Sequence, residues 1–511
     1  MDELEKREKT LEEKFWHFLY NKWHLILIAI LIFAAYLRFK NMNVNAALWW
    51  DEADYLGLAK HYGLGTPIDT APWRARGMAF VWAVFYWLGA NETVIRILIQ
   101  LTSLGGVYMC YLLGRDLVNK KVGLVAAFMM SVFWVHLFWS ARIEMAMHGM
   151  LVWSISAWLF WKGYVKNGKT WHLALAAGLA AYGMFMYSAV GFIAIFYLVF
   201  LLFADRFKFI KSKKMWIAFG VALLIISTMF AYNYINFGSV NPRIVRTITA
   251  ETSLEESAQP WNRPIGEQIN DFVTYTVNFP QYLFWPFLIL FLIGLATFFD
   301  VILGFDLMVK GKEPKLKKKW FLLTWILSVL IIFSFILTFT HFYYEPRFLF
   351  PLFPAVFIIA GIGTVKLYDI LAKYNKYLGL VVVLGLLAFG GYTQLSYADN
   401  LIDAKADSFA GERFIGEWLN ENTVEGDVII TCNQNVPFIY YSSRMVYGFG
   451  TNMTKADELI EKYDSKYVII DAYNFDCAFT YGDERENLVP IQAYFYDEAQ
   501  TMPLVILYEV R

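Results

Sequence analysis

The sequence is short of charge. Only 17% of its 511 residues are Asp, Glu, Lys or Arg, whereas a soluble domain carries about 25%. Its 44 basic and 44 acidic residues cancel, which removes the overall positive footprint that nucleic acid would require. Cysteine is scarce as well. Cys110, Cys432 and Cys477 are too few for a disulfide framework or a cysteine metal cluster, although Cys432 and Cys477 share the C-terminal region and could pair outside a cell. The N-terminus has no basic stretch leading into a short apolar core, so the first apolar segment reads as a retained helix, not a cleaved leader. The chain also lacks internal repeats and low-complexity tracts.

What it has in abundance is apolar and aromatic residues, 58% and 19% respectively. They recur in long runs, the pattern of a polytopic helical membrane protein. About eleven spans are expected, near 23–36, 93–113, 121–139, 145–162, 171–187, 189–204, 215–235, 281–303, 320–339, 349–366 and 377–395. Residues 1–22 alternate Glu and Lys before Phe15, Trp16, Phe18 and Leu19, and read as an amphipathic helix on the cytoplasmic membrane surface. Met78–Leu88 is apolar but too short to cross about 30 Å of hydrocarbon, so it reads as interfacial. With that choice the lysine-rich loops share one side. These are Lys120-Lys121, Arg206 to Lys214, Lys310 to Lys319, and Lys366 to Lys376. By the positive-inside rule that side is cytoplasmic, and the N-terminus with it.

Three regions then face outward: a first loop at 38–90, a long loop at 237–280, and a domain at 396–511. The domain alternates helical and strand patterns and holds twenty acidic against eight basic residues, without a Gly-rich phosphate loop. It reads as a small α/β domain on the same side as the loops, placed to select an acceptor. The expected architecture is a transmembrane domain over 23–395 with this external domain attached.

Charged side chains gather at the outer ends of the spans. The first loop opens with Trp49-Trp50-Asp51-Glu52-Ala53-Asp54-Tyr55 and continues to Arg74 and Arg76. The end of the third span gives Arg142, Glu144 and His148, and a later loop gives His341, Tyr343, Tyr344, Glu345 and Arg347. Taken singly, each has a plain reading as a solvated acid, a local ion pair or an interface anchor. Together they line a polar cavity, as ionisable groups at membrane depth usually do. Carboxylates serve as general bases toward a hydroxyl, and arginines hold a phosphate and stabilise its charge on departure. The mixture points to group transfer from a lipid phosphate. A transporter or flippase is the alternative, but it would carry charge near the membrane midplane and often repeat symmetry. A receptor role would leave the acid–arginine set unexplained.

The order of these motifs resembles the GT-C superfamily of membrane glycosyltransferases, and most of all its protein O-mannosyltransferase and aminoarabinose transferase branch. Asp51-Glu52-Ala53-Asp54-Tyr55 is similar to the first-loop acidic motif of that branch. Arg142-Ile143-Glu144-Met145 is similar to its second motif, though Glu144 stands where many members have Asp. Glu345-Pro346-Arg347, leading into Pro351 and Pro354, is similar to the stretch that opens a late span. The resemblance covers about 35–395. It implies a polyprenyl-phosphate sugar donor such as dolichyl-phosphate mannose, a glycan, lipid or protein acceptor, and inversion at the sugar. It implies no obligatory metal or other cofactor; a divalent ion is possible but not expected. By position it makes Asp51 the general base with Glu52 orienting the acceptor. Arg74, Arg76, Arg347 and Tyr344 fall on the donor phosphate, and Asp54, Arg142, Glu144 and His341 on acceptor or sugar. Oligosaccharyltransferases of the superfamily carry Trp-Trp-Asp in their soluble C-terminal domain. Here the triplet lies in the first loop and none follows residue 395, which sets that branch lower. The compact loops suit a prokaryotic cell envelope.

Overall fold

The computed structural model describes residues 22–71, 74–242, 264–304, 314–340, 344–432, 435–472 and 485–511. The N-terminal amphipathic segment and His341 therefore lie outside the described residues.

The membrane region runs α1 (Trp23–Phe39), α2 (Trp50–Leu64), α3 (Gly77–Trp87), α4 (Glu92–Leu117), α5 (Lys120–Val132), α6 (Trp134–Ser140), α7 (Met145–Phe160) and α8 (Thr170–Met186). It continues with α9 (Ile193–Asp205), α10 (Lys213–Phe237), α11 (Ile265–Val277), α12 (Phe279–Ala296), α13 (Pro314–Thr340), α14 (Phe353–Ala372) and α15 (Lys376–Asp403). Among the described residues, seven helical stretches are long and apolar enough to cross a bilayer, and the α5–α6 pair, bent by 54°, makes an eighth if it is one span. Helices α1, α7 and α8 have only 16 or 17 residues. At 1.5 Å per residue that is about 24–26 Å, just short of a bilayer core. Every expected span thus contains a helix.

One expected boundary moves. The long loop at 237–280 does not reach 280, because α11 begins at Ile265 and runs into α12 as one apolar stretch to Val301. Glu267, Asn270 and Asp271 mask a helix whose apolar residues fall on one face.

Small residues set the closest crossing. Gly294 of α12 and Gly363 of α14 leave no room for side chains: a Cβ on Gly363 would land on the Leu290 carbonyl oxygen, and one on Gly294 on that of Ile359. Such contacts let membrane helices pack without a hydrophobic drive between them.

Helices α2 and α3 form a lid-like pair outside the spans. Leu56, Ala59, Trp82 and Tyr86 bury against each other and against Tyr440 and Tyr441 of the C-terminal domain. That domain contains α16 (Ala410–Asn422), β1 (Val428–Thr431), α17 (Asn435–Ser442), β2 (Met445–Gly448), α18 (Met453–Tyr463), β3 (Tyr467–Asp471), β4 (Leu488–Phe495) and β5 (Pro503–Val510). Its mixed sheet has the order β2-β1-β3-β5-β4, parallel across β2-β1-β3 and antiparallel beyond. Cys432, just after β1, is disulfide-bonded, and Cys110 in α4 is free and buried. Cys477 lies outside the described residues.

The domain is fastened to α2. The Tyr441 hydroxyl accepts a hydrogen bond from the Leu48 backbone N–H at 2.8 Å, just before α2 begins. Lys60 donates to the Tyr440 carbonyl at 2.9 Å, and the Tyr86 and Tyr440 hydroxyls meet at 3.1 Å.

Candidate active site

Helix α2 divides its acids by geometry. Positions three and four apart share a helix face, so Asp51, Asp54 and Tyr55 point one way and Glu52 another. Asp51 and Glu52 also sit in the first turn, where the helix dipole favours negative charge.

On the first face, two arginines hold the carboxylates. Arg74 Nη1 lies 2.8 Å from Asp51 Oδ1, its Nε pairs with Asp54, and its guanidinium carbon stands 5.5 Å from the Tyr55 ring centre. Arg347 Nη2 lies 3.0 Å from Asp51 Oδ2, Nη1 lies 2.6 Å from Glu144 Oε2, and Nε pairs with Glu345. Asp51 is thus shared between two guanidiniums, and Arg347 among three carboxylates. Glu144 is fixed from its own side, because it caps α7 by accepting from the Ala146 N–H at 3.0 Å. Thr70 donates to Asp54. The ring of Trp139 lies 5.0 Å below the Arg347 guanidinium.

On the second face Glu52 is buried opposite Arg142, with 4.0 Å between Oε1 and Nη1. Arg142 lies flat on Trp49 at 3.4 Å and near Phe138 at 4.8 Å. Glu52 Oε2 and Arg142 Nε are buried without a hydrogen-bond partner among the described residues. This pair is much less satisfied than the first.

The charge states separate accordingly. Burial would raise Asp51, but Arg74 and Arg347 outweigh it and hold the carboxyl below its ordinary range. Burial pushes Glu52 up to about 7, against the pull of Arg142 and Arg96. Glu345 also rises to about 7 through burial, although Arg347 opposes it. Asp54 rises through burial despite Arg74.

The structure therefore brings together Asp51, Glu52, Asp54, Arg74, Arg142, Glu144 and Arg347. Arg76 faces elsewhere: it reaches the Tyr62 hydroxyl at 3.2 Å and lies 4.2 Å from the Phe237 ring at the end of α10. The Tyr344 ring packs on Tyr275 at 5.0 Å, and its hydroxyl is buried without a hydrogen-bond partner. Among the described residues no three His, Cys, Asp or Glu are grouped so as to hold a metal ion. Guanidinium groups stand between the carboxylates instead. The sequence reading gave no role to Glu345, the third acid on Arg347, or to Arg96, which pairs with Glu92 at 2.7 Å. Glu345 had a signal, its place two residues before Arg347. Arg96 looked like an ordinary residue at the start of a span.

Residues 75–232 match the family model described as dolichyl-phosphate-mannose-protein mannosyltransferase. No curated protein matches the sequence. Among solved structures, the aminoarabinose transferase ArnT of Cupriavidus metallidurans bound to undecaprenyl phosphate superimposes with a TM-score of 0.63 at 11% identity, covering 94% of this chain and 97% of that one. The Archaeoglobus fulgidus oligosaccharyltransferase tethered with an acceptor peptide gives 0.59 at 14%, covering 89% and 70%. The mycobacterial arabinofuranosyltransferase AftD gives 0.54 at 12%, covering 95% and 40%. The solved structures share the fold, and over residues 75–232 the chain is similar to the mannosyltransferase family.

Proposed function

We propose that this glycosyltransferase moves a sugar from a polyprenyl-phosphate carrier to a hydroxyl or amine acceptor, with inversion, on the face that bears the C-terminal domain. The observation that carries the proposal is the Asp51 carboxylate, kept ionised between Arg74 and Arg347 at 2.8 and 3.0 Å. In the reaction Asp51 takes the acceptor proton, the acceptor atom bonds to the anomeric carbon, and the bond from that carbon to the phosphate oxygen breaks. The electron pair leaves with the polyprenyl phosphate.

Arg347 has two tasks in this scheme. Before the donor arrives it pairs with Asp51, Glu144 and Glu345. A phosphate competes for the same fork, since arginine binds carboxylate and phosphate alike. When Arg347 turns to the phosphate, Asp51 loses one of its two cations and becomes a stronger base. The basic group thus gains strength only when the donor is present. Glu144 and Glu52 with Arg142 border the sugar and acceptor, and Arg74 keeps Asp51 and Asp54 oriented.

Orientation in the membrane rests on two supports. In the topology expected from the sequence, the lysine-rich loops fall on the side opposite α2, which the positive-inside rule makes cytoplasmic. The bonded Cys432 in the C-terminal domain suits an oxidising exterior. The site then faces outward, with the N-terminus inside.

The test is sugar transfer by purified protein in liposomes, with a panel of polyprenyl-phosphate sugars, with and without EDTA, for wild type and Asp51→Asn. Transfer that survives EDTA and collapses in Asp51→Asn is the expected result. Loss with EDTA would instead make Asp51 a metal ligand, and flipping of donor without transfer would move the protein to the transporter class.

A further inference from the structure

Two helices of the membrane domain are broken, and one side chain repairs both. Between α5 and α6, Phe133 takes an extended conformation (φ −65°, ψ 119°). The Trp134 N–H therefore loses its helical acceptor, the carbonyl of Met130. In α12, Phe284 turns to φ 49° and Pro286 follows. The break at Phe284, followed by a proline with no N–H, leaves the Tyr282 carbonyl without a helical donor. These are one stray donor and one stray acceptor, both buried within the bundle, where an unmet polar group is costly.

Gln394 of α15 meets both. Its Oε1 accepts from the Trp134 N–H at 2.9 Å, and its Nε2 donates to the Tyr282 carbonyl at 2.9 Å. The amide orientation is fixed, because reversing it would set donor against donor and acceptor against acceptor. The side chain is fully buried. The indole of Trp134 adds a second donor to the Tyr282 carbonyl at 3.1 Å.

The α5–α6 bend matters because of what α6 carries. Phe138 lies under Arg142, Trp139 lies under Arg347, and the turn after α6 delivers Arg142 and Glu144. On the other side, Tyr282 of the broken α12 packs on Phe353 at 6.1 Å, directly after the turn that bears Arg347. We propose that Gln394 is a positioning residue: it joins the breaks of α6 and α12 and so fixes the aromatic bed and the turn that hold Arg142, Glu144 and Arg347 at the site. Its effect on catalysis rests on the transferase reading above; the joint itself does not.

The two parts are tested separately. Hydrogen exchange of the purified protein in nanodiscs, read by mass spectrometry, compares wild type with Gln394→Leu. Exchange in peptides covering 133–140 and 279–286 should quicken at least tenfold, while the C-terminal sheet keeps its wild-type rate. With polyprenyl-phosphate sugar, Gln394→Leu should lower kcat about tenfold at unchanged KM, and Gln394→Glu, which keeps the acceptor half, should lose less. Unchanged exchange at both segments would overturn the joint. So would quickening spread evenly over the chain, which marks general packing. Quickened exchange with wild-type kcat would overturn the positioning role. If exchange responds as expected and wild type itself transfers no sugar from any donor, the joint stands and the transferase reading falls.

Discussion

Asp51 and Glu52 are adjacent residues of one helix, both in its first turn, both carboxylates. Asp51 touches two guanidiniums at hydrogen-bonding distance and stays ionised. Glu52 faces one guanidinium at 4.0 Å and is pushed to about 7 by burial. Glu52 is also the more deeply buried, 3% exposed against 29% for Asp51, so burial and the number and distance of the cations act together to separate them. The comparison shows how a helix can give two neighbouring acids different proton affinities, by facing one toward paired cations and burying the other opposite a single stacked arginine.

The contrast is broken most completely at Arg347. Arg347→Met leaves three carboxylates facing one another and removes the cation expected at the phosphate. Transfer should fall on the order of 10³-fold, and unfolding stability by about 3–5 kcal/mol. Initial rates and thermal melts check both, and Arg347→Lys should rescue stability more than rate, because a point charge does not replace the fork.

Next comes the pair itself. Asp51→Asn should lower kcat at least ~10²-fold, the usual worth of a positioned base, while Glu52→Gln should stay within about tenfold of wild type. The opposite ranking in a steady-state assay would exchange their roles.

A smaller effect sharpens the electrostatic half. In the fold Glu52 titrates near 7 instead of its ordinary value of about 4.3. The folded state then binds its proton more tightly between those values, so stability falls as pH rises through 7. Glu345 has the same sign. Glu52→Gln should remove part of the melting-temperature drop between pH 5 and 8, and Glu345→Gln a further part. Asp51 works the other way. Its contribution is present above about 3.9 and is lost only as pH falls through its depressed folded value, so Asp51→Asn should leave the slope between pH 5 and 8 unchanged.

The mildest change reaches α2 from outside. Tyr441→Phe strips the Leu48 N–H of its acceptor and should cost about 1 kcal/mol. The contact also changes what a truncation means. Removing 396–511 would bare the approach to α2 as well as any acceptor surface, so donor binding should weaken along with transfer.

Much of this was legible in the chain. Apolar runs gave the spans, and acids and arginines at the ends of distant spans gave the cluster. Helical spacing separates Asp51 from Glu52, yet which face meets two arginines depends on residues ~300 positions away. The break at Phe133 has neither Pro nor Gly beside it, so no local chemistry announces it. Without that break Gln394 reads as a stray amide in an apolar helix. Helix α17 and strands β2 and β4 leave little trace in the sequence because they are short or, like Leu488–Phe495, interrupted by Pro490 and a register shift.

The contact between Gly294 and Gly363 bears on lipid traffic. Helices that touch backbone to backbone have no side chains to bend aside, so α12 and α14 move as one plank. Helix α10 is the reverse, with Ala218 its single buried residue and open space around Gly220. On the proposed reading, a long polyprenyl carrier should enter at the flank beside α10 and not at the glycine seam.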